Sequence, residues 1–191
     1  MKILGLPALL LALVGCAGTP NTSAQSLDEA KDYEFRIGTQ WTYSVKRGGE
    51  RTGTLTARVT KVEDGVTHLV FTGKTDSFNE YRWVGEGGIW FSNKLDPTSK
   101  GAGGPQMLYK LGTKRGDRWV NFLGDTTAEH QGRTEVQVPA GTYKDAIHIK
   151  ILSDSDGRVV YESWIVPRLW MVKHVQDPIV IELENFEEPS K

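Results

Sequence analysis

The chain has 191 residues, with 23 Lys+Arg against 24 Asp+Glu and one cysteine. That length suits a single domain with a sizeable core. The near-neutral balance gives no basic face for nucleic acid, and a lone thiol excludes a disulfide within the chain.

Lys2 gives the chain a positive start, and Ile3 to Val14 is an apolar run of twelve residues. A bilayer span needs about 20, so the run reads as a secretory signal segment rather than a membrane helix. It ends in Leu13-Val14-Gly15-Cys16, with a small residue directly before the thiol. This ending resembles the lipobox of bacterial lipoproteins. The resemblance implies cleavage before Cys16, a thioether-linked diacylglycerol on its sulfur and an acyl chain on its new amino group. Two or three chains anchor a protein stably where one does not. Ala17 follows, and the absence of Asp at that position implies sorting to the outer membrane, facing the periplasm or the cell surface. A lipidated Cys16 leaves the rest of the chain with no thiolate nucleophile and no cysteine metal ligand.

Removing residues 1–15 leaves 176. Residues 17–26 are small, polar and without period, so 16–32 reads as a lipidated cysteine on a flexible tether. Fully extended, that tether reaches about 50 Å; as a coil it averages roughly 20–24 Å. Ser26 is placed to cap one helical turn over 26–31.

From Trp41 onward the sequence alternates with period two. Leu55, Ala57 and Val59 form one row, Ile147, Ile149 and Ile151 another, and Ile179, Ile181 and Leu183 a third. Val160, Glu162, Trp164 and Val166 oppose Val159, Tyr161, Ser163 and Ile165. Turn signals separate the runs at Gly48-Gly49, Asp64-Gly65, Glu86-Gly87-Gly88 and Asp156-Gly157. The expected fold is all-β: a curved antiparallel sheet or partly open barrel of about ten strands over 33–191. Residues 93–116 carry Pro97, Gly101, Gly103, Gly104 and Pro105 and read as the longest irregular stretch, with Met107–Leu111 a short returning strand.

Val136-Gln137-Val138-Pro139-Ala140-Gly141-Thr142-Tyr143 reads as a strand, a tight turn with Gly141 at positive φ, and a second strand. The same residues resemble the V-x-V-P-A-G-T-[FY] turn of a group of bacterial envelope proteins. Gly38-Thr39-Gln40-Trp41-Thr42-Tyr43 is similar to an early piece of that pattern, and Trp164 to Lys173 to a late one. Where the pattern has Gly before Leu/Met-Val-Lys, this chain has Leu169-Trp170. The resemblance implies a curved, partly open barrel related in outline to the lipoprotein-carrier proteins. It brings no catalytic residue set.

A search for chemistry finds little. His68, His130, His148 and His174 have no zinc spacing, no G-x-S-x-G elbow is present, and Ser153-Asp154-Ser155-Asp156-Gly157 reads as a hairpin turn rather than a calcium loop. No metal, no cofactor and no catalytic residue are expected. Six Trp is a high count. Core filling accounts for such residues; the sharper alternative is a cavity lined by Trp41, Trp83, Trp90, Trp164 and Trp170, because barrel mouths are common ligand sites. The expected function is a non-enzymatic, membrane-anchored envelope module that binds a partner or supports envelope assembly. Its expected partners are the membrane, through the anchor, and a lipid or envelope protein. One alternative is a half-barrel that carries an acyl chain in an apolar cavity; another is a hydrolase whose site is not visible in sequence.

Overall fold

The computed structural model describes residues 29–94, 104–122 and 125–190. Cys16, the lipobox and most of the tether lie outside them, as do residues 95–103 of the irregular stretch. The described residues form twelve strands: β1 (Gln40–Arg47), β2 (Glu50–Glu63), β3 (Val66–Thr72), β4 (Ser77–Gly85), β5 (Gly88–Ser92), β6 (Gln106–Lys110), β7 (Arg118–Phe122), β8 (Thr126–Val138), β9 (Gly141–Ser153), β10 (Val159–Val166), β11 (Trp170–Gln176) and β12 (Ile179–Glu187). The fold class is as expected, with twelve strands in place of about ten.

All twelve belong to one antiparallel sheet ordered β6-β5-β4-β3-β2-β1-β12-β11-β10-β9-β8-β7. Every paired strand is a sequence neighbour of its partner except at the centre, where β1 pairs with β12. A twisted sheet this wide curls, and here the curl brings its two edges together. No β6–β7 ladder forms. Instead Trp119 Nε1 and Asn121 Nδ2, both on β7, donate to the Met107 carbonyl of β6 at 3.1 and 2.9 Å. The barrel is therefore closed at its seam by side chains.

The turns follow the local chemistry. Asp64-Gly65 and Gly48-Gly49 place both central residues at positive φ, at 50° and 76° and at 58° and 88°, which matches the twist of the flanking strands. Pro139-Ala140 is a two-residue connection, with Gly141 paired to Val138 at φ 143°. Ala140 N–H donates to Leu183 O at 2.9 Å, which pins that hairpin to β12.

Inner rows make the core. Ile147, Ile149 and Ile151 on β9, Ile165 on β10, Val172 on β11, Leu183 on β12, Trp41 on β1, and Ala57 and Val59 on β2 are all fully buried. The outer face carries a polar row in register across four strands: Glu182 beside Lys173, Lys173 beside Trp164, and Trp164 beside His148. Glu182 accepts from Lys46 at 2.7 Å and Lys173 at 2.9 Å. Burial works to raise its pKa, but the two ammonium groups overcome that and hold the carboxyl below its usual range. Trp164 stacks flat on His148 at 4.3 Å.

Before β1, Glu29–Lys31 form a helical turn and the chain then crosses one end of the barrel. Glu29 accepts from Tyr109 OH at 2.7 Å and from Gly112 N–H at 2.9 Å. Asp32 receives the Arg168 side chain at 2.9 Å and the Arg168 N–H at 2.8 Å. Tyr33 and Phe35 are buried beyond these latches.

Trp119→Phe keeps the ring and removes one seam bond. The expected cost is about 1 kcal/mol in urea unfolding, with faster amide exchange in β6 and β7 than in β8 and β9. Uniform acceleration across the sheet would contradict a local seam.

Candidate functional site

The interior is not filled evenly. On β4, period two turns Phe78, Glu80, Arg82 and Val84 inward, and all four line interior cavities. Arg82 is 6% exposed. A buried charge is costly unless paired, and Glu80, two residues away on the same face, accepts from Arg82 Nε at 2.5 Å. The guanidinium lies 4.1 Å over the Trp170 ring and within 5.7 and 6.0 Å of the Phe71 and Trp41 rings. Such contacts contribute roughly 0.5–2 kcal/mol each when desolvated. Arg82 Nη1 is buried with no protein partner at hydrogen-bonding geometry.

Trp170 has φ 67°. That left-handed conformation is a genuine outlier for a bulky residue and costs of order 1–3 kcal/mol. Packing holds it there. Tyr33 and Phe35 meet its ring edge-on at 6.0 and 6.4 Å, and Arg82 covers its face.

Arg82 and Trp170 together divide the interior in two, since both border each of two chambers. The first, about 630 Å³, opens to solvent at the end crossed by the N-terminal segment, where exposed Lys31, Glu34, Arg36 and Val62 line it together with buried Tyr33 and Phe35. The second, about 340 Å³, lies towards the opposite end, where the β3–β4 and β11–β12 turns fall. Leu55, Phe71, Phe78, Phe91, Leu108 and Met171 make it mainly apolar. Phe78, 46% exposed, stands at its rim and stacks on Phe71 at 4.8 Å.

One wall of the second chamber is polar. Ser163 Oγ lies 3.0 Å from His174 Nδ1. Burial pushes His174 down to about 4, so its imidazole is neutral near pH 7. The Tyr161 hydroxyl is buried there without a partner at good geometry. Asn121 lies beside it; its Oδ1 accepts from Thr126 Oγ1 and keeps a second lone pair for the Tyr161 hydroxyl. Nucleophilic catalysis by Ser163 would need a base oriented by a third group. Among the described residues no carboxylate hydrogen-bonds His174, and Glu80 is taken by Arg82.

The five tryptophans named from sequence fall in different places. Trp170 borders both chambers and Trp83 borders the first. Trp41 is fully buried and donates from Nε1 to Leu169 O at 2.7 Å, beneath Arg82. Trp90 stacks parallel to Trp83 at 6.2 Å, on the opposite face of β5 from Ile89 and Phe91. Trp164 belongs to the outer polar row. The sequence reading did not single out Glu80, Arg82, Tyr161 or Ser163, and gave His174 no partner. The available signal was two charges in the same alternate row as Phe78 and Val84. The other row, Asn79, Tyr81 and Trp83, is just as mixed, so the signal does not say which row is inside.

His148 Nε2 lies 2.6 Å from Glu162, yet burial keeps its pKa below the ordinary value despite that carboxylate. His130 is buried on β8, also lowered chiefly by burial. No group of three metal-ligating side chains occurs among the described residues.

No protein-family model matches the chain, and no curated protein matches it in sequence. Among solved structures, the fold is similar to that of a candidate exported protein with a YmcC-like fold from Bacteroides fragilis, at 12% identity over 82% of this chain and 98% of that one, with a TM-score of 0.52. It is also similar to a candidate lipoprotein from Parabacteroides distasonis, at 12% identity over 82% and 98% of the two chains, with a TM-score of 0.50. At such identity the likeness is one of fold.

Two outcomes test the chamber walls. At φ 67° glycine is relaxed and alanine is not, so Trp170→Gly should unfold at higher urea than Trp170→Ala, by about 1 kcal/mol. Equal stability would mean the backbone is not held in that conformation. For His174, the folded pKa of about 4 lies below the unfolded value of about 6.5. The unfolded state binds the proton more readily, so this contribution is fully present above pH 6.5 and is lost as pH falls towards 4. Unfolding free energy should drop by up to about 3 kcal/mol more in the wild type than in His174→Gln across that window. Parallel curves would refute the assignment.

Proposed function

We propose that the chain is a lipid-anchored cell-envelope protein that binds an apolar chain in the second chamber and catalyses no reaction. The observation that carries this reading is the apolar chamber of about 340 Å³, within the size range of small-molecule sites. Its polar groups are few and convergent, as ligand sites require. The barrel is packed where β8, β9 and β12 meet and hollow where β2–β6 face β10–β12. That distribution supports the carrier reading over a module with a filled interior. Among the described residues, no carboxylate hydrogen-bonds His174 to complete a Ser163–His174 pair as a nucleophile and oriented base.

The anchor rests on Leu13-Val14-Gly15-Cys16. The structural neighbours described as exported and as a lipoprotein support an envelope setting. Ala17 after the cysteine supports the outer membrane. Diacylglycerol and an N-acyl chain on Cys16 are the lipid groups this reading requires, and the membrane is the partner they engage.

Cys16→Ser should abolish palmitate labelling and move the protein from the membrane fraction to the soluble one. A variant that stays bound, with an unlabelled wild type, would refute the anchor. For the chamber, native mass spectrometry of the full chain extracted from envelope membranes should show a lipid adduct, depleted in Phe78→Asp. A chain that carries no adduct and takes up no added alkyl glycerol would overturn the binding reading.

A further inference from the structure

The second chamber has a definite electrostatic character. Among the described residues, four titratable side chains line it: Glu80, Arg82, Tyr161 and His174. Glu80 and Arg82 cancel as an ion pair at 2.5 Å. Tyr161 stays a phenol, because burial raises its pKa, and His174 stays an imidazole, because burial lowers its own. The wall is thus formally neutral at pH 7. Yet one of its hydrogen-bonding groups, Arg82 Nη1, is buried without a protein partner. An unmet buried donor costs about 1–3 kcal/mol, more when charged. A native interior leaves few such groups, and each needs an explanation.

Resting on the binding reading above, we propose that the second chamber takes an uncharged acyl group, whose ester or amide carbonyl oxygen accepts a hydrogen bond from Arg82 Nη1. Charge decides between a carbonyl and a carboxylate. A carbonyl answers the orphaned guanidinium edge and leaves the chamber neutral. A carboxylate would answer the same edge but add a negative charge beside Glu80, with no second cation among the described residues lining the chamber to offset it. Burying that net charge is expensive. Phe71, Phe78, Phe91 and Leu108 then surround the alkyl chain.

The test uses three ligands with the same alkyl length: 1-decanoylglycerol, its ether analogue 1-O-decylglycerol, which lacks the carbonyl, and decanoate. Each is titrated into the full chain at pH 7.5 and followed by native mass spectrometry. The ester should bind roughly tenfold or more tighter than the ether, the worth of one hydrogen bond to a charged donor, and tighter than decanoate. Arg82→Lys keeps the pairing with Glu80 but removes the second guanidinium edge, so its ester-to-ether ratio should fall towards one while ether binding persists. The wild-type comparison needs no variant, so it stands even where Arg82→Lys misfolds. Equal binding of ester and ether overturns the inference and leaves the apolar chamber intact. Tighter decanoate binding overturns it in favour of carboxylate recognition. Failure of all three ligands refutes the binding reading itself.

Discussion

The arrangement of this barrel depends on one buried contact, the Arg82 guanidinium lying over the Trp170 indole at 4.1 Å. An arginine inside a β-barrel is unfavourable on its own, since removing an ion from water costs several kcal/mol after relaxation. Glu80 supplies the counter-charge from the same strand, and Trp41, Phe71 and Trp170 supply aromatic faces. Trp170 in turn is held in a backbone conformation that disfavours a bulky residue. The two unfavourable features are mutually dependent. The strain at Trp170 brings the indole over the arginine, and the arginine gives the indole a reason to stay.

That contact also explains the uneven interior. On one side of it, Tyr33 and Phe35 push into the barrel end from the N-terminal segment. On the other, no aromatic from a turn fills the space between β2–β6 and β10–β12. The seam repeats the same economy. A sheet edge left unpaired invites association with other chains, yet β6 and β7 meet without a ladder. Trp119 and Asn121 converge on the single Met107 carbonyl. A seam made of side-chain bonds separates with less loss of backbone pairing than a ladder would, which makes it the natural place for the barrel to yield.

Much of the architecture was legible because period two is a strong signal and the glycine turns punctuate it. The row Ile147, Ile149 and Ile151 is apolar against His148 and Lys150, so its inward face is plain. The site was less legible because its strands carry mixed rows. On β10, Tyr161, Ser163 and Ile165 face inward while Glu162 and Trp164 face out. Hydrophobicity alone would not choose that register: the outward tryptophan is accounted for by His148 beneath it and Lys173 above, both from other strands. Arg82 is hidden for the same reason. An arginine in a strand is normally an outward residue, and what reverses it here is Glu80 together with rings contributed by β1, β3 and β11, a combination only the closed sheet assembles. Nothing in the sequence around Trp170 signals its left-handed backbone, which only the packing against Tyr33, Phe35 and Arg82 explains.

The N-terminal segment links the proposed anchor to this interior. Glu29 and Asp32 tie it to Tyr109, Gly112 and Arg168, and within a few residues Tyr33 and Phe35 reach Trp170. The described chain therefore begins, at Glu29, at the end of the barrel that the first chamber occupies. The second chamber lies towards the other end. The Glu29 and Asp32 hydrogen bonds precede Tyr33 and Phe35 along the chain, so they fix the segment before it reaches the rings. The Arg82–Trp170 septum is shielded behind them.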